Sequence, residues 1–314
     1  MAKHASLSEP STLCPSAIMV FALVPPSAEE AAQWLQLLDA PSATAVDARN
    51  DVLARAEKLA SAIPKRAQKK ALDIVVSGCG FKIYYFLGVQ SILTRLANRG
   101  CLELHRYAGS SSGAKTPVHL LLAGEELTLD HHLAYAELCE RRGGSTLLAA
   151  MRNDRCALVT IDYLLQRFER QLPSLDDTAH IVISQHTWRG PRRVTLSRFC
   201  DDSLPVVRQR LREIWHATGT LITRVDGYGW CSDGGMADNA PTFSDQRRDQ
   251  LLVQPQHHKG LPSSMVFASS REEAIDAITK GQDDAVKFLS RELDEGDGQK
   301  VGGTLSLVRA GASE

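Results

Sequence analysis

Apolar residues near the start of the chain recur at helical spacing. Ser27 and Glu30 fit a capping box, and an apolar stripe follows over residues 34–38. A second helix is predicted over residues 45–63, where apolar positions again share one face. Together with the Ser-, Pro- and Ala-rich start, these helices predict an irregular and helical N-terminal extension over residues 1–71 that docks on a main domain.

From residue 72 the pattern alternates between short β-rich runs and helical runs, with a glycine-rich turn after each of the first two strands. The order is a strand at 73–76, a helix at 83–99, a strand at 102–108 and a helix that ends near Gly124. Strands that alternate with helices are typical of a parallel sheet between two layers of helices. We therefore predict an α/β domain with a mainly parallel central sheet.

The later part of the chain continues the alternation less regularly. Strands are predicted at 180–184, 225–231 and 265–268, and helices at 130–142, 161–172, 206–217 and 270–289. The main domain is predicted to end at residue 291. Residues 292–314 are first acidic and then glycine-rich, which predicts a flexible C-terminal tail.

Composition and charge exclude several classes of protein. Lys and Arg number 36 and Asp and Glu number 37, so the formal charge is −1, which argues against a nucleic-acid binder. Hydrophobic residues make up 43%, which is enough for a packed core. No apolar run approaches the ~18–20 residues that span a bilayer. The run at 17–25 resembles the core of a signal peptide, so a targeting segment stays open there.

The seven cysteines are an odd number, lie far apart and form no CxxC pair. Such spacing predicts neither a zinc site nor a disulfide framework. We therefore expect free thiols in a reducing compartment, a cytoplasmic location, and no metal or other cofactor.

A serine-rich turn separates the second strand from its helix. Gly109-Ser110-Ser111-Ser112-Gly113 fits G-x-S-x-G, in which a strained turn lifts the serine hydroxyl and a helix N-terminus favours negative charge. Glycines two residues either side prevent a collision across the turn. A Ser-rich loop that caps a helix is the alternative. A P-loop is excluded because Ala114 separates Gly113 from Lys115.

Two further turns carry candidate chemistry. Gly78, Cys79 and Gly80 follow the first strand, so parallel pairing would bring their amides beside Ser111, where they could bind an oxyanion. Asp233 lies in the turn Ser-Asp-Gly-Gly, and a carboxylate near a hydroxyl can accept its proton. Ordinary turns, and Cys79 itself as the nucleophile, are the alternatives.

These pieces, in this order, resemble the patatin-like phospholipase family. They are Ser-Gly-Cys-Gly-Phe, Gly-Ser-Ser-Ser-Gly, and Asp-Gly-Gly followed by Asn239 and Pro241. Residues 77–89 (SGCGFKIYYFLGV) are similar to the animal triglyceride-lipase branch, and residues 271–289 resemble the closing helices of the family. The resemblance covers about residues 72–291.

The resemblance implies a three-layer αβα fold and a Ser–Asp dyad that needs no metal. Ser111 would be the nucleophile, Asp233 the base, and the amides of Gly78, Cys79 and Gly80 the oxyanion hole. The activity it implies is hydrolysis of fatty acyl esters of phospholipids, glycolipids or acylglycerols. The chain departs from the family at Ile83, where the oxyanion loop usually carries a glycine.

Three alternatives concern function and partners. A Ser–His–Asp esterase would use His257 or His258. A non-catalytic or regulatory lipid-surface protein would keep the same fold. Residues 189–212 hold seven arginines, which suggests either contact with an anionic lipid surface or a solvated helix face with local ion pairs. The expected partners are thus an acyl ester substrate and the surface of a membrane or lipid droplet, with no nucleic acid.

Overall fold

One sheet with flanking helices makes up the protein. The computed structural model describes residues 27–65, 69–141, 147–200, 202–219, 222–245, 247–261, 270–294 and 304–310. The strands among them are β1 (Lys70–Val76), β2 (Leu102–Ser110), β3 (Ala179–Thr187), β4 (Gly190–Leu196), β5 (Thr223–Val225), β6 (Gly229–Asp233), β7 (Asp249–Val253) and β8 (Leu305–Val308). The helices are α1 (Ala28–Asp39), α2 (Ala43–Ser61), α3 (Ile83–Asn98), α4 (Ser112–Arg141), α5 (Leu147–Arg167), α6 (Leu204–Ala217) and α7 (Arg271–Asp294).

The centre of the sheet is parallel. The strand order is β5-β6-β3-β2-β1-β7-β8. Strand β4 is outside this order and forms a hairpin with β3. Strands β1, β2, β3 and β7 run in one direction, and the remaining strands pair antiparallel at the flanks. The carboxyl ends of parallel strands meet at one edge of a sheet, which we call the carboxyl edge. Five consecutive residues of β1, 72–76, are buried, as expected for a parallel strand covered on both faces.

Helices flank the sheet in the arrangement of a three-layer αβα fold, as predicted. One apolar core joins α2, α3 and α7 to β1 and β7, and a second joins α1, α5 and α6 to β3. The backbones of α3 and α7 are in contact at two glycines. A Cβ atom on Gly88 would lie 2.0 Å from the Ile278 carbonyl oxygen, and one on Gly281 would lie 2.1 Å from that of Tyr85.

Most predicted elements are confirmed, and the Ser27–Glu30 capping box is present. The predicted break near Gly124 is confirmed: α4 consists of two helical parts that meet at a kink, where Gly124 adopts the non-helical φ 79° and ψ 172°. The predicted strand at 225–231 is instead the β5–β6 hairpin, which turns at Gly227. The predicted strand at 265–268 lies outside the described residues. Strand β7, which pairs with β1 on the side opposite to β2, was not predicted from the sequence.

Both ends of the predicted main domain differ from expectation. β1 begins at Lys70, just before the predicted boundary, and α7 continues past residue 291. The predicted tail contains β8, which pairs with β7, so this part of it belongs to the sheet. Residues 1–26 of the predicted extension lie outside the described residues. Within the described part of the chain, no helix is long and apolar enough to cross a bilayer.

Candidate active site

Ser111 lies in a sharp turn between β2 and α4. Its φ is 55°, in the left-handed region that non-glycine residues rarely occupy, and its carbonyl oxygen accepts the first hydrogen bonds of α4. The flanking glycines are required by close approach of backbones. A Cβ atom on Gly109 would lie 2.1 Å from the Gly113 carbonyl oxygen, and one on Gly113 would lie 2.4 Å from that of Val76. The tight strand–turn–helix predicted from G-x-S-x-G is therefore confirmed.

Asp233 ends β6 and reaches the same turn, because β6 pairs with β3 and β3 with β2. The Ser111 hydroxyl lies close enough to the Asp233 carboxyl group to favour its ionised form. The Gly235 N–H donates to Asp233 Oδ1 at 2.8 Å. Burial raises the pKa of Asp233, and the Ser111 hydroxyl, the Gly235 amide and the charge of Lys115 oppose that rise. Ser111 and Asp233, which are 122 positions apart, are thus brought together.

The Gly78–Gly80 turn lies beside Ser111, as predicted from parallel pairing. A Cβ atom on Gly78 would be 2.9 Å from Ser111 Cβ. The Gly78 N–H, however, donates to the Asn239 carbonyl oxygen at 3.1 Å, so this amide is already used within the fold. The Cys79 N–H donates to Ser112 Oγ at the longer distance of 3.4 Å. Gly80, at φ 54°, lines a cavity together with Ser111.

Asn239 connects the three turns. Its side-chain Nδ2 donates to the Gly78 carbonyl oxygen at 3.2 Å, and its own carbonyl oxygen accepts from the Gly78 N–H and from Ser110 Oγ, both at 3.1 Å. From the sequence, Asn239 and Pro241 are part of the family pattern and suggest a rigid turn. A sequence signal for this connecting role is that Asn-x-Pro follows Asp-Gly-Gly within a few residues, which keeps Asn239 close to Asp233.

An apolar cavity of about 270 Å³ opens next to Ser111. Its wall includes side chains from α1, α3, α4, α5 and α6, among them Trp34, Ile83, Tyr84, Tyr135, Thr160 and Trp215. Trp34 is 2% exposed and packs edge-on against Tyr135 at 5.5 Å between ring centroids. The N-terminal helices were predicted to dock on the main domain, and α1 does so by supplying part of the cavity wall. Ile83, the departure from the family pattern, is another wall residue.

Three histidines on α4 also line the cavity: His119, His131 and His132. His131 Nε2 lies 2.9 Å from the Leu38 carbonyl oxygen and must donate to it, so its Nδ1 accepts from His119 Nε2, also at 2.9 Å. Burial lowers the pKa of His119 well below its usual range and those of His131 and His132 to about 4. The histidines are therefore neutral at pH 7. In the sequence, His131 and His132 stand at the start of a predicted helix, which favours exposed side chains, but His131 is 2% exposed.

Other candidate residues occupy different surroundings. His258 Nδ1 accepts from the Gly260 N–H at 3.0 Å, and its Nε2 lies 3.2 Å from Asp284 Oδ2 on α7, so both ring nitrogens have partners away from Ser111. Of the described residues that line the cavity, none is His257 or His258. Burial raises the pKa of the Cys79 thiol to about 12, which opposes thiolate chemistry at neutral pH. No cluster of His, Cys, Asp and Glu in the described ranges has the arrangement of a metal site.

Comparison with known proteins finds distant similarity to solved structures. No protein-family model matches the chain, and no curated protein matches it. Among solved structures the chain is similar to VipD from Legionella pneumophila, with 14% sequence identity and a TM-score of 0.29. The match covers 61% of this chain and 52% of VipD, so the chain spans about half the length of this neighbour.

Proposed function

We propose that the protein is a serine hydrolase of fatty acyl esters, of the phospholipase A or acylglycerol-lipase type. One observation carries the proposal. The hydroxyl of Ser111, in a strained strand-to-helix turn, lies close enough to the partly buried carboxyl of Asp233 to favour its ionised form, and both lie beside an apolar cavity. A nucleophile that is activated by an adjacent base is the common requirement of acyl transfer.

In the acylation step, Asp233 accepts the proton of Ser111 Oγ while that oxygen attacks the ester carbonyl carbon. The carbonyl oxygen then carries negative charge, which the Gly80 amide and the N-terminus of α4 would stabilise. The Cys79 amide would join them by exchanging its hydrogen bond to Ser112 Oγ for one to the oxyanion. The Gly78 amide is assigned a structural role instead, because it is bonded to Asn239. Collapse of the intermediate breaks the ester C–O bond, and Asp233 returns its proton to the leaving alcohol.

In the deacylation step, water attacks the acyl-enzyme with Asp233 again accepting a proton, and the fatty acid leaves. The acyl chain would occupy the cavity, whose aromatic and aliphatic wall favours hydrocarbon over polar groups. His131 and His132 in the cavity wall are neutral at pH 7, so they add no charge that would oppose binding of an acyl chain. The location that accompanies this proposal is cytoplasmic, at the surface of a membrane or lipid droplet.

The test measures p-nitrophenol release from medium-chain p-nitrophenyl esters, together with labelling by a fluorophosphonate probe. Wild type should hydrolyse and become labelled at Ser111, and Ser111→Ala and Asp233→Ala should each lose hydrolysis while they retain the folded circular dichroism spectrum. Ser203→Ala is the matched control, because Ser203 is exposed at the start of α6, and it should behave as wild type.

Two results would redirect the assignment. A folded wild-type protein with neither hydrolysis nor labelling would favour the non-catalytic lipid-surface protein. Loss of activity in His257→Gln or His258→Gln would favour the Ser–His–Asp esterase, and full activity in Asp233→Ala would reject the Ser–Asp dyad. We expect both histidine variants to keep their activity, since neither side chain lines the cavity.

A further inference from the structure

A tryptophan side chain is exposed to solvent at the tip of the β3–β4 hairpin. Trp188 and Arg189 form the two-residue turn between Thr187 and Gly190, and Trp188 is 87% exposed. The Arg189 guanidinium lies over the indole, 4.5 Å from the ring centroid. Tryptophan is usually among the more buried residues, so an indole held out on a hairpin turn suggests a binding surface.

A second indole lies nearby in the sheet. Trp230, on β6, is 60% exposed. It is paired with Arg224 of β5, so the two side chains share one face of the hairpin. Trp230 precedes Asp233 by three residues, and the exposed Met236 follows Asp233 by three. Exposed apolar side chains therefore stand on both sides of the candidate base in the sequence.

Both indoles project beyond the carboxyl edge, where Ser111 lies. β3 pairs in parallel with β2 and places Val182 opposite Ser110, and Trp188 follows Val182 by six residues, or about 20 Å at ~3.3 Å per residue. β6 is antiparallel to β3, so Trp230 lies about 10 Å beyond Asp233 in the same direction. Arg192 pairs with Gln185, which also pairs with Cys231, so Arg192 and Trp230 lie on opposite faces of the sheet near its end. We call the end of the sheet that carries Trp188, Arg189, Arg192 and Trp230 the indole surface.

The seven arginines of residues 189–212 divide into two exposed ones near the hairpin tip and five that pair with acids, among them Arg198 with Asp177. Arg189 and Arg192 are exposed on the hairpin, whereas Arg193 pairs with Asp238 at 2.7 Å. Those on α6 form ion pairs with acids of neighbouring segments: Arg208 with Glu169, Arg210 with Asp202 and Arg212 with Asp162. Positive charge that can meet an external anion is therefore concentrated beside the indoles, rather than along one helix face.

We propose that the indole surface binds the interface of an anionic lipid bilayer. Indoles prefer the boundary between headgroups and hydrocarbon, where the ring is apolar and its N–H can still find an acceptor. Guanidinium groups bind lipid phosphates with paired hydrogen bonds and are attracted by the negative surface potential. Docking through this surface turns the carboxyl edge, with Ser111, towards the lipid. Binding itself requires no hydrolysis.

The experiment is sedimentation of the full-length protein with vesicles of phosphatidylcholine alone or with about 30% phosphatidylglycerol, a fraction that makes the surface clearly anionic. Wild type should bind the mixed vesicles at least about tenfold better. Trp188→Ala should lose about tenfold in binding to the mixed vesicles. Arg189→Glu combined with Arg192→Glu should abolish the preference for anionic lipid. These residues are exposed, so the thermal unfolding midpoints should stay near that of wild type.

Two control variants make the same chemical changes elsewhere. Leu35→Ala removes an exposed apolar side chain from α1. Arg198→Glu reverses a charge at the amino end of β3, where Arg198 lies near Asp177. Both should bind as wild type does. Equal binding to both vesicle types, or equal losses in the controls, would overturn the proposal. Absence of vesicle binding in a protein that still cleaves soluble p-nitrophenyl esters would overturn it and leave the proposed hydrolase intact.

Discussion

Trp34 of α1 donates its indole N–H to the Thr160 hydroxyl of α5 at 2.8 Å, within the wall of the cavity that contains Ser111. The Thr160 hydroxyl in turn donates to the Cys156 carbonyl oxygen at 2.8 Å. The buried indole therefore has a partner for its polar atom, and α1 is fixed in orientation rather than merely covered by apolar contacts. The first described helix is thus a component of the candidate active site.

Trp34→Ala tests that role. Removal of a buried indole should destabilise the protein by about 3–5 kcal/mol and leave a larger cavity. If the cavity holds the acyl chain, preference among p-nitrophenyl esters should shift towards longer chains. The measurements are urea unfolding and the activity ratio between long and short esters. Leu35→Ala, an exposed neighbour on α1, should change neither, and an unchanged ester profile in Trp34→Ala would place the acyl chain elsewhere.

Asp233→Asn should separate stability from activity. The folded-state pKa of Asp233 is raised by burial, so the carboxylate is less favourable in the folded than in the unfolded protein at neutral pH. Its replacement by a neutral amide should raise the thermal midpoint at pH 7.5 while hydrolysis is lost. The gain should vanish as the pH falls below the ordinary pKa of aspartate, because wild type is then protonated in both states. A variant less stable than wild type at pH 7.5 would contradict this reasoning.

Acid should destabilise the protein through the cavity histidines. His131 has a folded pKa of about 4 against an ordinary 6.5, so the unfolded chain binds its proton first as the pH falls. Stability is therefore complete above about pH 6.5 and is lost between that value and about pH 4. One such histidine corresponds to about 2 kcal/mol at pH 5.

Urea unfolding at pH 7.5 and pH 5 measures this loss. His131→Gln, whose amide can still donate to the Leu38 carbonyl oxygen, should show a smaller difference between the two pH values than wild type. His105→Gln is a suitable control, since His105 is partly exposed on β2 beside Glu103. An equal pH dependence in His131→Gln and wild type would refute the assignment of the acid sensitivity to this cluster.

Gly113→Ala should prevent stable folding. The added Cβ would lie 2.4 Å from the Val76 carbonyl oxygen and 2.5 Å from that of Ser77, so β1 and the Ser111 turn would have to separate. Gly227→Ala is the matched control. Gly227 also has a strained conformation for alanine, at φ 79°, but no atom lies within 4 Å of its added Cβ, so we expect a loss of only about 1–2 kcal/mol. Soluble yield and thermal unfolding distinguish the two.

Local patterns predicted much of this fold. The order of β1, α3, β2 and α4 follows from alternating periodicity, and the turn at Ser111 follows from the spacing of Gly109 and Gly113. The pairing of β1 with β7 was missed because the apolar run of β7 is short and its partner is about 180 positions earlier. Burial of His131 was missed because it depends on Leu38 of α1, which is 93 positions away.

Some features of the candidate site could likewise be predicted from local motifs, and others could not. Ser111, Asp233 and the loop at Gly78–Gly80 were identified from motifs, since each motif reflects a local conformational need. The use of the Gly78 amide by Asn239 could not be read from any single motif, because it depends on how two distant turns meet. The contribution of Trp34 to the cavity likewise arises only when α1 packs on α5.

The position of β1 between β2 and β7 has a consequence for biosynthesis. Residues 69–113 contain β1, β2 and the whole serine turn, but the other neighbour of β1 is not translated until residues 249–253. Until then one side of a strand with five buried residues has no partner, and such an open strand is a template for association between nascent chains. Ribosome-bound chains shorter than about 250 residues therefore expose one edge of β1.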